Sequence, residues 1–203
     1  MDKVIVIGDS HSLLFSERGN WVDPRLNNMF DVKWLGPVTF WRFCRDKNTC
    51  IDLESISNGR TVLFSFGEID IRCHIINHIE TTYQDVIDKM MGELETYLSN
   101  NSARLDLHFM SVPPPMYKDL CTSPNKDFPF VGSDEYRSEI TKYFNSRLKE
   151  MVERHNIGYF DCYGFYCDEN NMLDYKKSDT VVHAVKTKEL EDYVKNYFIN
   201  GRV

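Results

Sequence analysis

The sequence predicts an α/β fold: a three-layer α/β/α sandwich with a mostly parallel sheet of about five strands, in one domain over residues 1–203. Three observations lead there. Short β-rich apolar runs are each stopped by Gly, Pro or Asp, and amphipathic helical patterns lie between them. No linker, internal repeat or low-complexity tract divides the 203 residues, a length that suits one domain.

The strands are read in order. Residues 3–7 form a continuous run with four β-branched positions that ends at Gly8, the pattern of a strand buried on both faces. Residues 29–35 end at Gly36-Pro37, 61–66 at Gly67, and 105–112 at Pro113-Pro114-Pro115. Residues 157–160 follow Asn156 and end at Asp161.

Helices fill the gaps. Over 82–98, Val86, Ile87, Met90, Met91, Leu94, Tyr97 and Leu98 recur at helical spacing, and Thr82 with Asp85 resembles a capping box. Over 133–152, Tyr136, Ile140, Phe144, Leu148, Met151 and Val152 repeat the pattern behind Ser133 as N-cap. A last helix starts at Thr187 and runs through Leu190, Tyr193, Val194 and Phe198. Residues 113–132 and 162–180 are long irregular stretches, and loops of that length are often functional.

Composition narrows the function. Hydrophobic content of 42% with 27% charged residues is that of an ordered globular chain. A net charge of −7 argues against a nucleic-acid surface and gives no attraction to anionic membranes. No run approaches the roughly 18 apolar residues of a spanning helix, and the apolar run after Met1-Asp2-Lys3 is too short for a secretory signal. A cytoplasmic location is therefore expected. The six cysteines form no Cys-x-x-Cys pair, so free thiols and no structural zinc are expected. His74 and His78 are four apart but have no third ligand at motif spacing, so no metal is expected. A dinucleotide cofactor needs Gly-x-Gly-x-x-Gly after the first strand; Gly8 stands alone there, followed by the phosphate-repelling Asp9. No cofactor is expected.

In open parallel sheets, ligands bind beyond the carboxyl ends of the strands. Four strand or loop ends deliver polar groups to that edge: Asp9, Ser10 and His11; Gly36; Glu68, Asp70, Arg72 and His74 in "GEIDIRCH"; and Asp179 with His183 in "SDTVVH". A serine becomes a nucleophile when a base takes its proton and an acid orients that base. Asp179 and His183 are candidates for acid and base, while the amides of Gly36 and Ser10 are candidates for an oxyanion hole. Ser10 reads equally as the cap of the helix that follows. Glu68, Asp70 and Arg72 read either as site residues or as a structural ion-pair cluster in which Asp70 holds Arg72. In "GPVTFWRFCRD", Phe40 and Phe43 read as packing, and Trp41 and Arg42 as a candidate wall for a sugar ring.

The motifs "GDSHS", "LGPVT" and "FGEID", followed by Asp179 and His183, resemble the SGNH (GDSL-type) hydrolase superfamily over nearly the whole chain. The resemblance implies a flavodoxin-like SGNH fold and a serine esterase or deacetylase for a small acyl ester, such as an O-acetylated carbohydrate. It implies Ser10 as nucleophile, His183 as base and Asp179 as acid, with the Ser10 and Gly36 amides in the oxyanion hole. The superfamily's Gly-x-Asn-Asp is here Gly67-Glu68-Ile69-Asp70, so Arg72 or His74 is the expected substitute for the Asn donor. Asp179 and His183 are separated by three residues where the superfamily has two, which leaves Asp174 and Asp168 as alternative acids. Asp9, His11, Glu68, Asp70, Trp41 and Arg42 complete the expected substrate site. Acyl transfer to a sugar, or glycan or protein binding without turnover, are the alternative functions.

Overall fold

Each apolar run forms a strand, the first extending through its terminal glycine: β1 (Val4–Gly8), β2 (Phe30–Trp34), β3 (Thr61–Ser65), β4 (Asp106–Met110) and β5 (Gly158–Phe160). The computed structural model describes residues 2–16, 21–46, 52–77, 82–101 and 103–200, with no side-chain description for 99–101. All four strand pairings are parallel, in the order β2-β1-β3-β4-β5. The helices are α1 (Phe40–Asp46), α2 (Ile75–Asn77), α3 (Tyr83–Asn101), α4 (Asp134–Arg154), α5 (Tyr163–Tyr166) and α6 (Lys188–Phe198).

Alternation along the strands makes the three layers. Ile5, Ile7, Val62, Phe64, Leu107 and Phe109 point to one face, where α1, α3 and α4 cover them with Phe43, Met90, Leu94, Phe144 and Leu148. Val4, Val6, Leu63, Met110 and Phe160 point to the other, beneath Phe15, Tyr166, Leu190 and Val194. Removing each such side chain from water contributes about 1.5–3 kcal/mol.

Local signals set the helix starts. Thr82 N–H donates to Asp85 Oδ2 and Asp85 N–H to Thr82 Oγ1, each at 3.2 Å, which is the capping box read from the sequence. Ser133 and Thr187 cap α4 and α6 through Tyr136 N–H and Leu190 N–H. Cys73, Cys121, Cys162 and Cys167 are free thiols, and Cys50 lies outside the described residues. Among the described residues no helix is long and apolar enough to cross a membrane.

The chain lays β2 on one side of β1, then crosses to place β3 on the other. Such a reversal opens a crevice at the carboxyl edge between β1 and β3. The segments after these two strands carry Asp9-Ser10-His11 and Glu68-Ile69-Asp70.

Candidate active site

The segment after β1 is held close to β3. A Cβ at Gly8 would sit 2.0 Å from the Ser65 carbonyl oxygen, so only glycine fits. Asp9 N–H continues the pairing by donating to Ser65 O at 3.1 Å. Asp9, not Ser10, then caps the 3-10 helix Ser10–Phe15: its Oδ1 accepts from His11 N–H at 2.9 Å. This corrects the reading of Ser10 as a cap. Ser10 is the first helical residue, and its half-buried hydroxyl is available for another partner.

That partner is His183. Ser10 Oγ and His183 Nε2 are 2.9 Å apart, and His183 Nδ1 lies 2.6 Å from Asp179 Oδ2. With Nδ1–H donated to the carboxylate, Nε2 is left to accept the serine proton. Asp179 is fixed by its own turn. Its Oδ1 accepts from the amides of Val181, Val182 and His183 at 2.9, 3.1 and 3.0 Å, and its N–H donates to His183 O at 2.9 Å. The three-residue spacing is absorbed by Thr180, whose φ of 65° lies in the left-handed region that β-branched residues rarely adopt. The Thr180 carbonyl accepts from both the amide and the hydroxyl of Thr122, at 2.9 Å each, tying residues 113–132 to the turn. The alternative acids serve other turns: Asp168 accepts from Tyr117 OH and two amides, and Asp174 caps a 3-10 turn through Lys176 N–H.

Gly36 follows β2 just past the Gly8–Trp34 pair, with Leu35 N–H on Gly8 O at 2.9 Å. Its φ of 77° requires glycine, and its position one strand away from Ser10 puts both amides at neighbouring strand ends. Among the described residues no group accepts either amide proton. The next helix, α1, is pinned at its N-terminus by Asp70, whose carboxylate accepts from Phe40 N–H at 2.5 Å and Trp41 N–H at 3.0 Å. Asp70 is fully buried, with no cationic partner among the described residues; burial, with Asp9 nearby, outweighs the backbone amides and pushes its carboxyl up to about 7.

Asp70 therefore does not hold Arg72. Glu68 does: Arg72 Nε lies 2.7 Å from Glu68 Oε1, and Nη2 donates to Oε2 at 3.1 Å, both residues being buried. Arg72 Nη1 also donates to the Phe128 carbonyl at 2.7 Å, and Arg72 and Arg137 both lie over the Phe130 ring, with centroid distances of 5.6 and 5.0 Å. The guanidinium expected as an oxyanion donor is thus engaged with Glu68 and the 113–132 loop. This anchoring is possible because Asp70–His74 is a π-helical turn leading into α2, which puts Glu68 and Arg72 on one side. Ile69 is buried and carries no donor. His74 lies beside Trp41, ring centroids 6.1 Å apart. Trp41 itself lines a groove of about 160 Å³ between α1 and α3, while Arg42 is exposed and paired with Asp46. Asp9 and His11, expected to touch substrate, are 1% and 5% exposed and belong to the wall behind Ser10. Among the described residues no three His, Cys, Asp or Glu groups could hold a metal ion, and His78 lies outside them.

The electrostatics favour a neutral base. Burial and the nearby His11 push His183 below the usual imidazole range, outweighing Asp179 and Glu68. Burial acts to raise Asp179, but the bonds from His183 and the backbone leave it lowered and ionised. For His11, burial opposes charge, and Asp9, Glu68 and the Val182 carbonyl overcome it, so its value is raised.

No family model and no curated protein sequence matches the chain. Solved structures do. A GDSL-like lipase from Bacteroides thetaiotaomicron matches with a TM-score of 0.62 at 15% identity, over 96% of this chain and 86% of that one. An acetyl xylan esterase matches with a TM-score of 0.61 at 13% identity, over 98% and 100%. Phospholipase A1 from Streptomyces albidoflavus matches with a TM-score of 0.54 at 12% identity, over 90% and 92%.

Proposed function

We propose that this chain, which has the fold of the SGNH (GDSL-type) hydrolases, is a serine ester hydrolase. The observation that carries the reading is the relay Ser10 Oγ–His183 Nε2–His183 Nδ1–Asp179 Oδ2, with contacts of 2.9 and 2.6 Å. Ser10 Oγ attacks the ester carbonyl carbon as its proton passes to His183 Nε2. Asp179 stabilises the imidazolium. The tetrahedral intermediate expels the alcohol, which takes the proton from His183, and leaves an acyl-Ser10. Water then gives its proton to His183 and attacks the acyl carbon; collapse releases the acid and returns the proton to Ser10.

The amides of Ser10 and Gly36 are the oxyanion donors in this reading. The Asn of Gly-x-Asn-Asp is absent at Ile69, and Arg72 is bound elsewhere, so in this reading the hole has two donors where the superfamily pattern has three. Loss of one donor costs about 10²–10³ in rate, so a low turnover is expected. For substrate we propose a small acyl ester on a carbohydrate. Trp34 supports it: this tryptophan is 54% exposed, two residues before Gly36, and offers an aromatic face to a sugar ring.

Incubation with p-nitrophenyl acetate and a fluorophosphonate probe tests the reading. Hydrolysis and labelling are expected in the wild type, and loss of both in Ser10→Ala and His183→Ala. Hydrolysis unaffected by either substitution, or no labelling, refutes the hydrolase. Acetylated sugar in the mass spectrum, in place of free acetate, identifies transfer.

A further inference from the structure

Behind the Ser10–His183–Asp179 relay sits a second carboxylate–imidazole pair that the proposed chemistry does not use. Asp9 and His11 flank Ser10 in sequence, and both are buried. His11 Nε2 lies 3.2 Å from the Val182 carbonyl, and since a carbonyl only accepts, this nitrogen carries the proton. Val182 directly precedes His183 and its amide is one of the three that bind Asp179. The His11 ring centroid is 5.0 Å from that of His183, with the planes tilted by 52°. Its Nδ1 faces Asp9 Oδ1 at 3.5 Å, while Nδ1 and Asp9 Oδ2 have no hydrogen-bond partner among the described residues.

We propose that His11 is a positioning residue of this site: its Nε2–H holds the Val182 carbonyl, and through it the turn carrying Asp179 and His183, while its ring helps set the field in which His183 titrates. The inference rests on the hydrolase reading for its catalytic consequence, and on geometry alone for the contact. Two features make the contact consequential. The turn is already strained at Thr180, so its conformation depends on bonds from outside it: Thr122 on the Thr180 carbonyl and His11 on the Val182 carbonyl. The two rings are also close enough that charge on one opposes charge on the other.

The ionisable groups around the pair come from three segments. Asp9 faces His11 from the end of β1, with Asp70 behind it. Glu68 acts on both rings from the end of β3, where Arg72 pairs with it and Arg137 lies within its field. Asp179 pairs with His183 from the last loop. With Asp9 and Glu68 favouring a protonated His11, protonation of His183 beside it is opposed. His183 stays neutral, and so able to accept the Ser10 proton, to lower pH than a solvated histidine.

His11→Gln and His11→Leu separate the two parts of the proposal. Gln keeps an N–H near the Nε2 position and removes the charge; Leu removes both. In the wild type and in His11→Gln, the His183 imidazole is followed by NMR titration, its signals assigned by their loss in His183→Gln. The His183 midpoint is expected to rise in His11→Gln by roughly 0.5–2 pH units, the range between water-like and protein-like screening at this separation. An unchanged or lowered midpoint overturns the electrostatic part. Fluorophosphonate labelling of Ser10, measured well above the His183 midpoint, is expected to slow at least about tenfold in His11→Leu and to be largely restored in His11→Gln. Equal labelling rates in His11→Leu and the wild type overturn the positioning part. Circular dichroism of each variant confirms the fold. A wild type that does not label refutes the hydrolase reading, and the NMR titration then decides the His11–His183 coupling by itself.

Discussion

Replacing Asp70 by Asn tests the least expected residue of the site. The Asp70 carboxyl is buried with no cation against it among the described residues, and is held at about 7 where an unfolded chain has 3.8. Between these values the folded protein binds a proton that the unfolded chain has released, so stability falls as pH rises through the window and levels off above it. The sign is opposite to that of a salt-bridged aspartate. Integrating the linkage from pH 5 to pH 8 with those two values gives a loss of about 2–3 kcal/mol from this one group. Asp70→Asn keeps the shape and an acceptor oxygen, cannot ionise, and lacks that slope. Other groups titrate in both proteins and largely cancel in the difference. The assay is urea unfolding of wild type and Asp70→Asn at pH 5, 6, 7 and 8, read as the difference between their stabilities. The wild type is expected to lose about 2–3 kcal/mol relative to the variant over that range. Parallel pH profiles would refute the reasoning, by showing that Asp70 stays ionised in the fold and that its two amide donors outweigh its burial.

The pH–rate profile for ester hydrolysis should have its acidic limb below the ordinary imidazole value of 6.5, because burial and His11 disfavour protonated His183; a limb above 7 contradicts that balance. Gly8→Ala places a Cβ 2.0 Å from a backbone oxygen of β3, and neither atom can rotate away. Denaturant unfolding should show a loss above roughly 3 kcal/mol, and a near-neutral effect would mean the strands lie farther apart. Arg72→Met leaves Glu68 buried and unpaired and the Phe128 carbonyl without its donor, a loss of about 3–5 kcal/mol. Adding Glu68→Gln should recover at least half of it; no recovery would show that the ion pair is not what the single variant breaks.

The strands and the starts of the three long helices were legible because their causes are local. A run such as Val4–Gly8 has no polar residue to expose, and Thr82 with Asp85 forms a capping box from residues three apart. Pairs at that range need no knowledge of the rest of the chain. One site contact had the same kind of signal and was assigned to the wrong carboxylate of its cluster: Glu68, not Asp70, is four residues from Arg72, a spacing that pairs charges once the backbone is helical. "GEIDIRCH" gave no apolar periodicity to suggest that it was. Asp9 and Ser10 are both acceptable caps by type, and the choice rested on the backbone angles of Asp9.

The sequence alone determined the alternation of strands and helices, the parallel sheet and the polar residues collected at its carboxyl edge, since these follow from side-chain periodicity and chain direction. The tertiary structure decided which of those residues meet. Ser10 and His183 are 173 positions apart and touch because the last loop returns to the end of β1. Asp179 became the imidazole's partner, in place of Asp168 or Asp174, because a left-handed Thr180 closes the turn around it. Asp70 was drawn away from Arg72 to the free amides of a helix 30 residues earlier. Each of these outcomes depends on burial and on donors brought from distant segments. Neither exists until the sheet has formed.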